Sequence, residues 1–499
     1  MSTPHRAAAL SFQGRGLVVV ALLLSIFMSA MEATVVGTAM PTVIADLGGL
    51  ALYGWVGSAY LLASTVSVPV YGKLADLYGR KPLMSLGIAL FLLGSFASGA
   101  ARGILPLIAA RAVQGLGAGA MQPIAMTILG DLFTVEERGR VQGFFGAVWA
   151  AAGAAGPLLG GVLVEALSWR WVFWINVPFG LASAAILALS FREAPRPPRT
   201  LPLDWPGALL VAGAALAGLL AAAGEWPQLS APCALALLGG VVWRGRTAPD
   251  PVLPLALVLR RPIAVASLSS LLLGAAMMGV LMFVPLYVQG VLGTSPAEAG
   301  ATAAPMLIGW PIAATLTSRA LVRTGFRAPV WFGSALCAAS LVAFALLLAP
   351  GARVGALQGV MFVYGLGMGF VNTTLLIAVQ ASVGWEQRGV ATALTMFSRS
   401  IGGALGVGAF GSLLAARLDG LLPAEAVRDL LDPARRGALA GSAHIAAGLA
   451  EGLGPIFFVS AALALVNLVA VALYPARQEA PTSSAPADAA ASPHVVDVG

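Results

Sequence analysis

Fourteen apolar stretches, most near 20 residues or longer, run along the chain, at approximately 17–40, 54–74, 82–101, 104–130, 141–165, 171–191, 205–223, 229–244, 264–289, 297–317, 329–349, 354–379, 390–416 and 455–474. The hydrocarbon core of a bilayer is about 30 Å thick and takes roughly 20 helical residues to cross. Inside it every backbone N–H and C=O must be bonded within the segment, which favours helices. An all-α integral membrane protein is therefore expected. Composition agrees: 10% of the 499 residues are charged, against about 25% in an ordinary soluble domain. The seventh and eighth runs are the weakest, so charge arbitrates. With a cytoplasmic N-terminus, the inner segments hold nineteen Lys and Arg, and the short outer loops hold only Arg102, Arg170 and Arg353. By the positive-inside rule this fits fourteen crossings with both termini cytoplasmic. The formal charge of +7 then reflects topology, and no nucleic-acid partner is expected.

The sparse polar inventory removes whole classes of chemistry. Lys73 and Lys81 are the only lysines and neither lies in a GxxxxGK[ST] string, so ATP hydrolysis is not expected. His5, His444 and His494 fall outside the apolar runs, and Cys233 and Cys337 stand alone in separate runs. These cysteines read as small core residues, and no enzyme activity, cofactor or metal is expected. An internal repeat appears near an offset of 250 residues: Gly115-Leu116-Gly117-Ala118-Gly119 returns as Gly365-Leu366-Gly367-Met368-Gly369, and Glu136-Glu137-Arg138-Gly139 as Glu386-Gln387-Arg388-Gly389. The loop with Gly79 and Lys81 has a worn copy at Gly325 and Arg327. Two six-helix halves are implied, 1–191 and 263–475, with a linker and the seventh and eighth helices inserted at 192–262. Residues 476–499, rich in Ala, Pro, Ser and Asp, read as a disordered cytoplasmic tail.

Between the second and third runs stands Gly72-Lys73-Leu74-Ala75-Asp76-Leu77-Tyr78-Gly79-Arg80-Lys81. Glycine permits the sharp turn, Asp76 can accept from helix N-terminal amides or from arginine, and Arg80 and Lys81 are expected to anchor the inner face. The string resembles the signature loop of the major facilitator superfamily, GxLaDrxGrk. That resemblance implies a latch on the outward-facing state carried by Asp76 and Arg80. The fourth run holds Arg111-Ala112-Val113-Gln114-Gly115, similar to the superfamily's RxxqG motif. A guanidinium at membrane depth needs a partner or water, and Gln114 and Gln122 give the same helix a polar stripe. The fifth run carries Gly156-Pro157-Leu158-Leu159-Gly160-Gly161 after Gly146 and Gly153, small residues that let helices approach closely. It resembles the antiporter motif GPxxGG, with Ala152 where the fuller pattern has Gly. Trp169-Arg170-Trp171-Val172-Phe173-Trp174-Ile175-Asn176-Val177-Pro178-Phe179-Gly180 reads as an interfacial aromatic anchor. It resembles a segment of the 14-span drug:proton antiporter family. The implied fold is the major facilitator fold, two pseudo-symmetric six-helix bundles plus two inserted helices.

Glu32, in Met31-Glu32-Ala33-Thr34-Val35-Val36-Gly37, is the one carboxylate well inside an apolar span. Low dielectric favours a neutral carboxyl and a nearby arginine favours a charged one, so Glu32 reads as a proton switch. A purely structural acid is the alternative. The 14-span family normally has Asp at the position of Glu32 and often Asn at that of Gly37. Counting along the first and fourth helices puts Glu32 and Arg111 at similar depth, so pairing is expected. Arg399 is the second intramembrane arginine, either lining a cavity or fixing the packing of Gly402 and Gly403. Tyr60, Trp149, Met277, Met278, Met282, Phe283, Tyr364 and Asn372 are candidates for a soft cavity wall, with Gln114 and Gln122 beside them. The expected function is proton-coupled export of lipophilic small molecules, cationic ones among the candidates, by a monomer in the plasma membrane. A lipid or amphipathic-metabolite exporter and a non-transporting receptor or scaffold are the alternatives.

Overall fold

In the computed structural model, which describes residues 12–48, 52–193, 203–348, 352–419, 421 and 443–474, every apolar run coincides with a helix. The N-terminal half comprises α1 (Phe12–Leu47), α2 (Tyr53–Tyr78), α3 (Arg80–Gly99), α4 (Ile104–Leu132), α5 (Val135–Ala166), the single turn α6 (Trp171–Trp174) and α7 (Asn176–Ser190). Then come α8 (Trp205–Ala222), α9 (Pro227–Thr247) and the short α10 (Leu255–Val258). The C-terminal half comprises α11 (Arg261–Gly290), α12 (Pro296–Thr324), α13 (Arg327–Leu347), α14 (Val354–Ala381), α15 (Arg388–Leu418) and α16 (Ala443–Ala472). Among the described residues, eleven spans are long and apolar enough to cross a membrane. Those in α2, α5 and α9, where Gly, Ser, Trp and Gln dilute the apolar residues, fall short. The set is consistent with fourteen crossings.

Two sequence expectations shift, and the sixth run, a single span from Trp171 to Ser190, is interrupted at Ile175 between α6 and α7. The last helix, read from the sequence as 455–474, already begins at Ala443. Cys233 is exposed rather than core, while Cys337 is buried; α9 packs mainly on α8 and leaves a face open that a bilayer can cover without cost. His5, His494, two of the inner arginines (Arg196 and Arg199) and the 476–499 tail lie outside the described residues.

The repeat has a physical basis in close helix approach. A Cβ at Gly115 would fall 2.4 Å from the Tyr60 carbonyl of α2, and one at Gly365 would fall 2.2 Å from the Met306 carbonyl of α12. Gly117 meets the Phe91 amide of α3 at 2.3 Å, as Gly367 meets the Cys337 amide of α13 at 2.8 Å. Gly119 and Gly369 likewise meet the Ser64 and Trp310 carbonyls. Each GLGxG string therefore wedges a helix between two others, and only glycine fits. The packing order repeats too: α1 on α5 as α11 on α15, α2 on α4 as α12 on α14, α3 on α4 as α13 on α14. Gly79, at φ +108°, joins α2 to α3 without a loop, and Gly325, at φ +70°, sits at the matching turn. The halves meet reciprocally, α2 against α15 and α5 against α12.

Candidate functional site

Glu32 is buried in the N-terminal half, and its carboxylate takes two donors. Arg111 Nη1 donates to Oε1 and Asn176 Nδ2 donates to Oε2 at 2.8 Å. The guanidinium also donates to Gln114 Oε1 (2.7 Å) and to the Val56 carbonyl (3.3 Å). It stacks over the Tyr60 ring at 4.4 Å, with Phe173 at 5.7 Å. Ser95 closes the circle: its Oγ accepts from Gln114 Nε2 (3.2 Å) and Asn176 Nδ2 (3.1 Å) and donates to the Phe173 carbonyl (2.7 Å). A buried ion pair repays its desolvation only with good geometry and further hydrogen bonds, and those bonds are present here. Five helices meet at this point because small residues allow it. Gly94 brings α3 to within 2.3 Å, measured from its would-be Cβ, of the Gln114 amide on α4. The break before α7 places Asn176 in a first turn, where Pro178 removes an N–H that has no intrahelical partner.

The pairing of Glu32 with Arg111 thus follows the expectation from depth. Ser95 and Asn176 were not expected at the site. Asn176 had a signal, as a lone amide in an apolar string; Ser95 had none, being one of many helical serines. Tyr60 and Gln114 belong to this buried network rather than to a cavity wall.

At the other end of the half, Asp76 Oδ1 accepts from the Gly389 amide (3.0 Å) and Oδ2 from the Val390 amide (2.8 Å). These are first-turn N–H groups of α15, which lack intrahelical partners and sit at the positive end of the helix dipole. Arg80 Nη2 donates to Asp76 Oδ1 (3.1 Å) and to the Trp385 carbonyl (2.7 Å). Its guanidinium lies 4.1 Å from the Trp385 ring and 3.2 Å from Asp131. Asp131 also accepts from Arg388 (2.7 Å). Gly72 lets the helices touch, since its Cβ would lie 2.3 Å from that of Ala393. Arg80 is fully buried and bridges the halves beside Asp76, where the sequence placed a latch, rather than lying at the surface of the inner face. Lys81 donates to the Ala188 and Phe191 carbonyls at the end of α7, as cations at helix C-termini do. Lys73 bonds Asp250, beyond the inserted pair. The sequence reading met Arg388 as a topogenic charge and as part of the repeated Glu386-Gln387-Arg388-Gly389 string, and passed over Asp131 and Trp385; their roles require the two halves to be assembled.

The α5 glycines divide. Gly156 fits against Thr34 of α1, Gly160 is buried, and Gly153 makes ordinary contact with Leu307 at 3.5 Å. Gly161 faces nothing within 4 Å, so it is not at a close helix crossing, contrary to the motif reading; the helices have diverged there. The Pro157 side chain lies outside the described residues. Among the cavity candidates, Trp149 and Met282 are exposed, and Gln122, Met278, Asn372 and Arg399 are half-buried. Asn372 donates to the Met368 carbonyl at 3.0 Å. Tyr364 is wholly buried within the core of the C-terminal half, which corrects its placement on a cavity wall. Trp169 is buried as well, and with Arg170 it bonds Asp46. The indole hydrogen bond first, then Arg170, hold the Asp46 carboxyl below the ordinary carboxylate range.

A sequence profile of the Major Facilitator Superfamily matches residues 22–407. The multidrug transporter protein MdtP of Bacillus subtilis is 36% identical over 420 residues, covering 82% of this chain and 77% of that protein. Multidrug resistance protein 3 of the same organism is 35% identical over 406 residues, 79% of each. The human organic anion transporter MFSD10 has a similar structure, with a TM-score of 0.61 over 92% of this chain and all of that one; at 17% identity this bears on fold alone.

Proposed function

Because the chain belongs to the Major Facilitator Superfamily, a family of membrane transporters, and resembles multidrug transporters over most of its length, we propose that it is a proton-coupled antiporter. It exports lipophilic small molecules, cationic ones among the candidates, by alternating access. The observation that carries this reading is the Glu32–Arg111 pair. A proton on Glu32 removes the charge that both Arg111 and Asn176 hold, freeing the guanidinium to lean on Gln114 and Tyr60. Because the five helices are wedged together at glycines, that local change is resisted in place and passes to helix positions. The second element is the clamp of Asp76 on the start of α15, which holds the halves together at one end. The moving bodies are residues 1–191 and 263–475, with 192–262 between them and the tail from 476 beyond. We place the chain in the plasma membrane as a monomer, both termini cytoplasmic, with protons, its substrate and membrane lipids as its partners.

The test uses the full chain reconstituted in vesicles with an imposed pH gradient and a panel of lipophilic dyes. Glu32→Gln, which keeps the shape and removes the titration, should abolish gradient-driven accumulation while leaving insertion and gradient-independent exchange intact. Undiminished uphill transport by that variant would overturn the assignment. Gradient-driven movement of labelled lipid in place of dyes would favour the lipid exporter, and movement of neither would favour a scaffold.

A further inference from the structure

At the end of the molecule held by the Asp76 clamp, α5 and α12 meet at a seam between the halves. Gly139 of α5 abuts Ser318 of α12, a Cβ on the glycine falling 2.8 Å from that of the serine. Gly143 then meets Thr315 and Gly146 meets Pro311, so the two helices run antiparallel. At an antiparallel crossing the residue after each contact turns by about 100° toward the same flank on both helices. The opposite flank is interior: Arg138, Gln142, Ala314 and Thr317 are all buried. This flank carries Arg140 and Phe144 of α5 beside Leu316 and Arg319 of α12, all exposed, with Arg323 one turn beyond. Among the described residues no hydrogen bond or ion pair engages these three guanidiniums. The nearest acids on α5, Glu136 and Glu137, serve its Thr134 cap.

The matching seam, α2 against α15, shows what such a flank takes. An offset of 246 carries Gly79 to Gly325 and the Tyr60 contact of one glycine string to the Met306 contact of the other. Lys73 therefore stands where Arg319 does, Val70 where Leu316 does and Leu77 where Arg323 does. On α15, at offset 250, Val390 and Leu394 stand where Arg140 and Phe144 do. There the chain covers its own flank. The helix α8 lies against both α2 and α15, and Val70 and Leu77 pack with Leu203, Ala208 and Val252. Val390 and Leu394 are buried, and Lys73 is paired with the Asp250 carboxylate. An apolar body with an acid at its end thus fills one seam, while the other is bare and lined with arginine.

We propose that an anionic phospholipid fills the α5–α12 flank, its phosphate held by Arg140, Arg319 and Arg323 and an acyl chain lying along Phe144 and Leu316. Such a lipid has the same two parts as the cover on the matching seam, and arginine takes phosphate through paired hydrogen bonds. Anionic lipid charges the cytoplasmic leaflet, so the inference rests on the topology proposed above, which puts this end inside. Because Arg140 belongs to one half and Arg319 to the other, the headgroup ties the halves together at the clamped end.

The full chain purified in a neutral detergent tests this, with bound lipid counted by native mass spectrometry and stability read as melting temperature. Phosphatidylglycerol should bind and raise the melting temperature; phosphatidylcholine and inorganic phosphate should do neither. Arg140→Gln combined with Arg319→Gln should melt like wild type without lipid and lose about thirtyfold in phosphatidylglycerol affinity, and Phe144→Ala should lose less. Arg246→Gln combined with Arg260→Gln removes the same charge at the same end away from the seam and should bind as wild type does. Equal loss in the two double variants, or an equal rise in melting temperature with phosphatidylcholine or inorganic phosphate, would overturn the proposal. Labelling of Thr324→Cys, in a Cys233→Ala background, by an impermeant maleimide outside intact cells would overturn the topology alone, since phosphatidylglycerol binding lost with the seam arginines would still uphold the lipid site.

Discussion

The two halves share a helical plan and differ in what fills it. In the N-terminal half the space between α1, α3, α4 and α7 holds Glu32, Arg111, Gln114, Ser95 and Asn176 in one bonded network. At the matching offset of 250, Arg111 corresponds to Met361 and Gln114 to Tyr364. Both are buried without trace of exposure in the large apolar cluster of the C-terminal half. Gly156 touches Thr34 as Gly406 touches Ala275, which puts Leu273 opposite Glu32 in the scheme. The same backbone therefore accommodates either an ion pair or an apolar core. What differs is the bonding: one half holds a buried carboxylate bonded across several helices, and the other an apolar packing unit.

The largest expected effect breaks this contrast at its centre. Arg111→Ala leaves a buried carboxylate without its cation, which costs about 3–5 kcal/mol where the partner stays charged, and transport should vanish. Met361→Ala should cost about 2–5 kcal/mol through its cavity yet keep gradient-driven transport in the molecules that fold. Thermal unfolding and vesicle transport measured on both variants separate the two; loss of coupling in Met361→Ala would show that the halves are not specialised.

Next come two asparagines in similar settings. Asn176 donates to Ser95 at 3.1 Å and also to Glu32, whereas Asn467 donates to Ser334 at 3.1 Å and, among the described residues, to no carboxylate. Each alanine variant should lose about 1–2 kcal/mol, but only Asn176→Ala should alter the pH profile of transport. Equal profiles would remove Asn176 from the coupling unit.

A smaller difference is expected between Gly117→Ala and Gly367→Ala. The first drives a methyl into backbone at 2.3 Å, while the second meets the Cys337 sulfur at 2.7 Å and its amide at 2.8 Å. Both should destabilise by about 1–3 kcal/mol, Gly117→Ala the more, as a lowered melting temperature in detergent. The smallest effect is a pH dependence confined to the N-terminal half. Asp46 has its folded pKa below its ordinary 3.8, so its stabilisation is complete above that value and is lost as pH falls further. Fluorescence of Trp169 should change in that acid window, and Asp46→Asn should remove the change.

Much of this was legible along the chain. Apolar length set the all-helical membrane class, since a bilayer punishes unbonded backbone wherever a segment sits. The GLGxG copies and the Asp76 loop announced two related halves, because close helix approach and sharp turns demand glycine locally. Glu32 and Arg111 were visible as polar exceptions in apolar spans. Tertiary structure alone decided which exceptions meet. Ser95 looks like any serine until α3 is pressed against α4 at Gly94, Tyr364 looks like cavity lining until α14 is buried, and Arg80 looks like a surface cation until α15 closes over it. Sequence determines what a residue costs to bury; only the assembled helices determine what it is buried against.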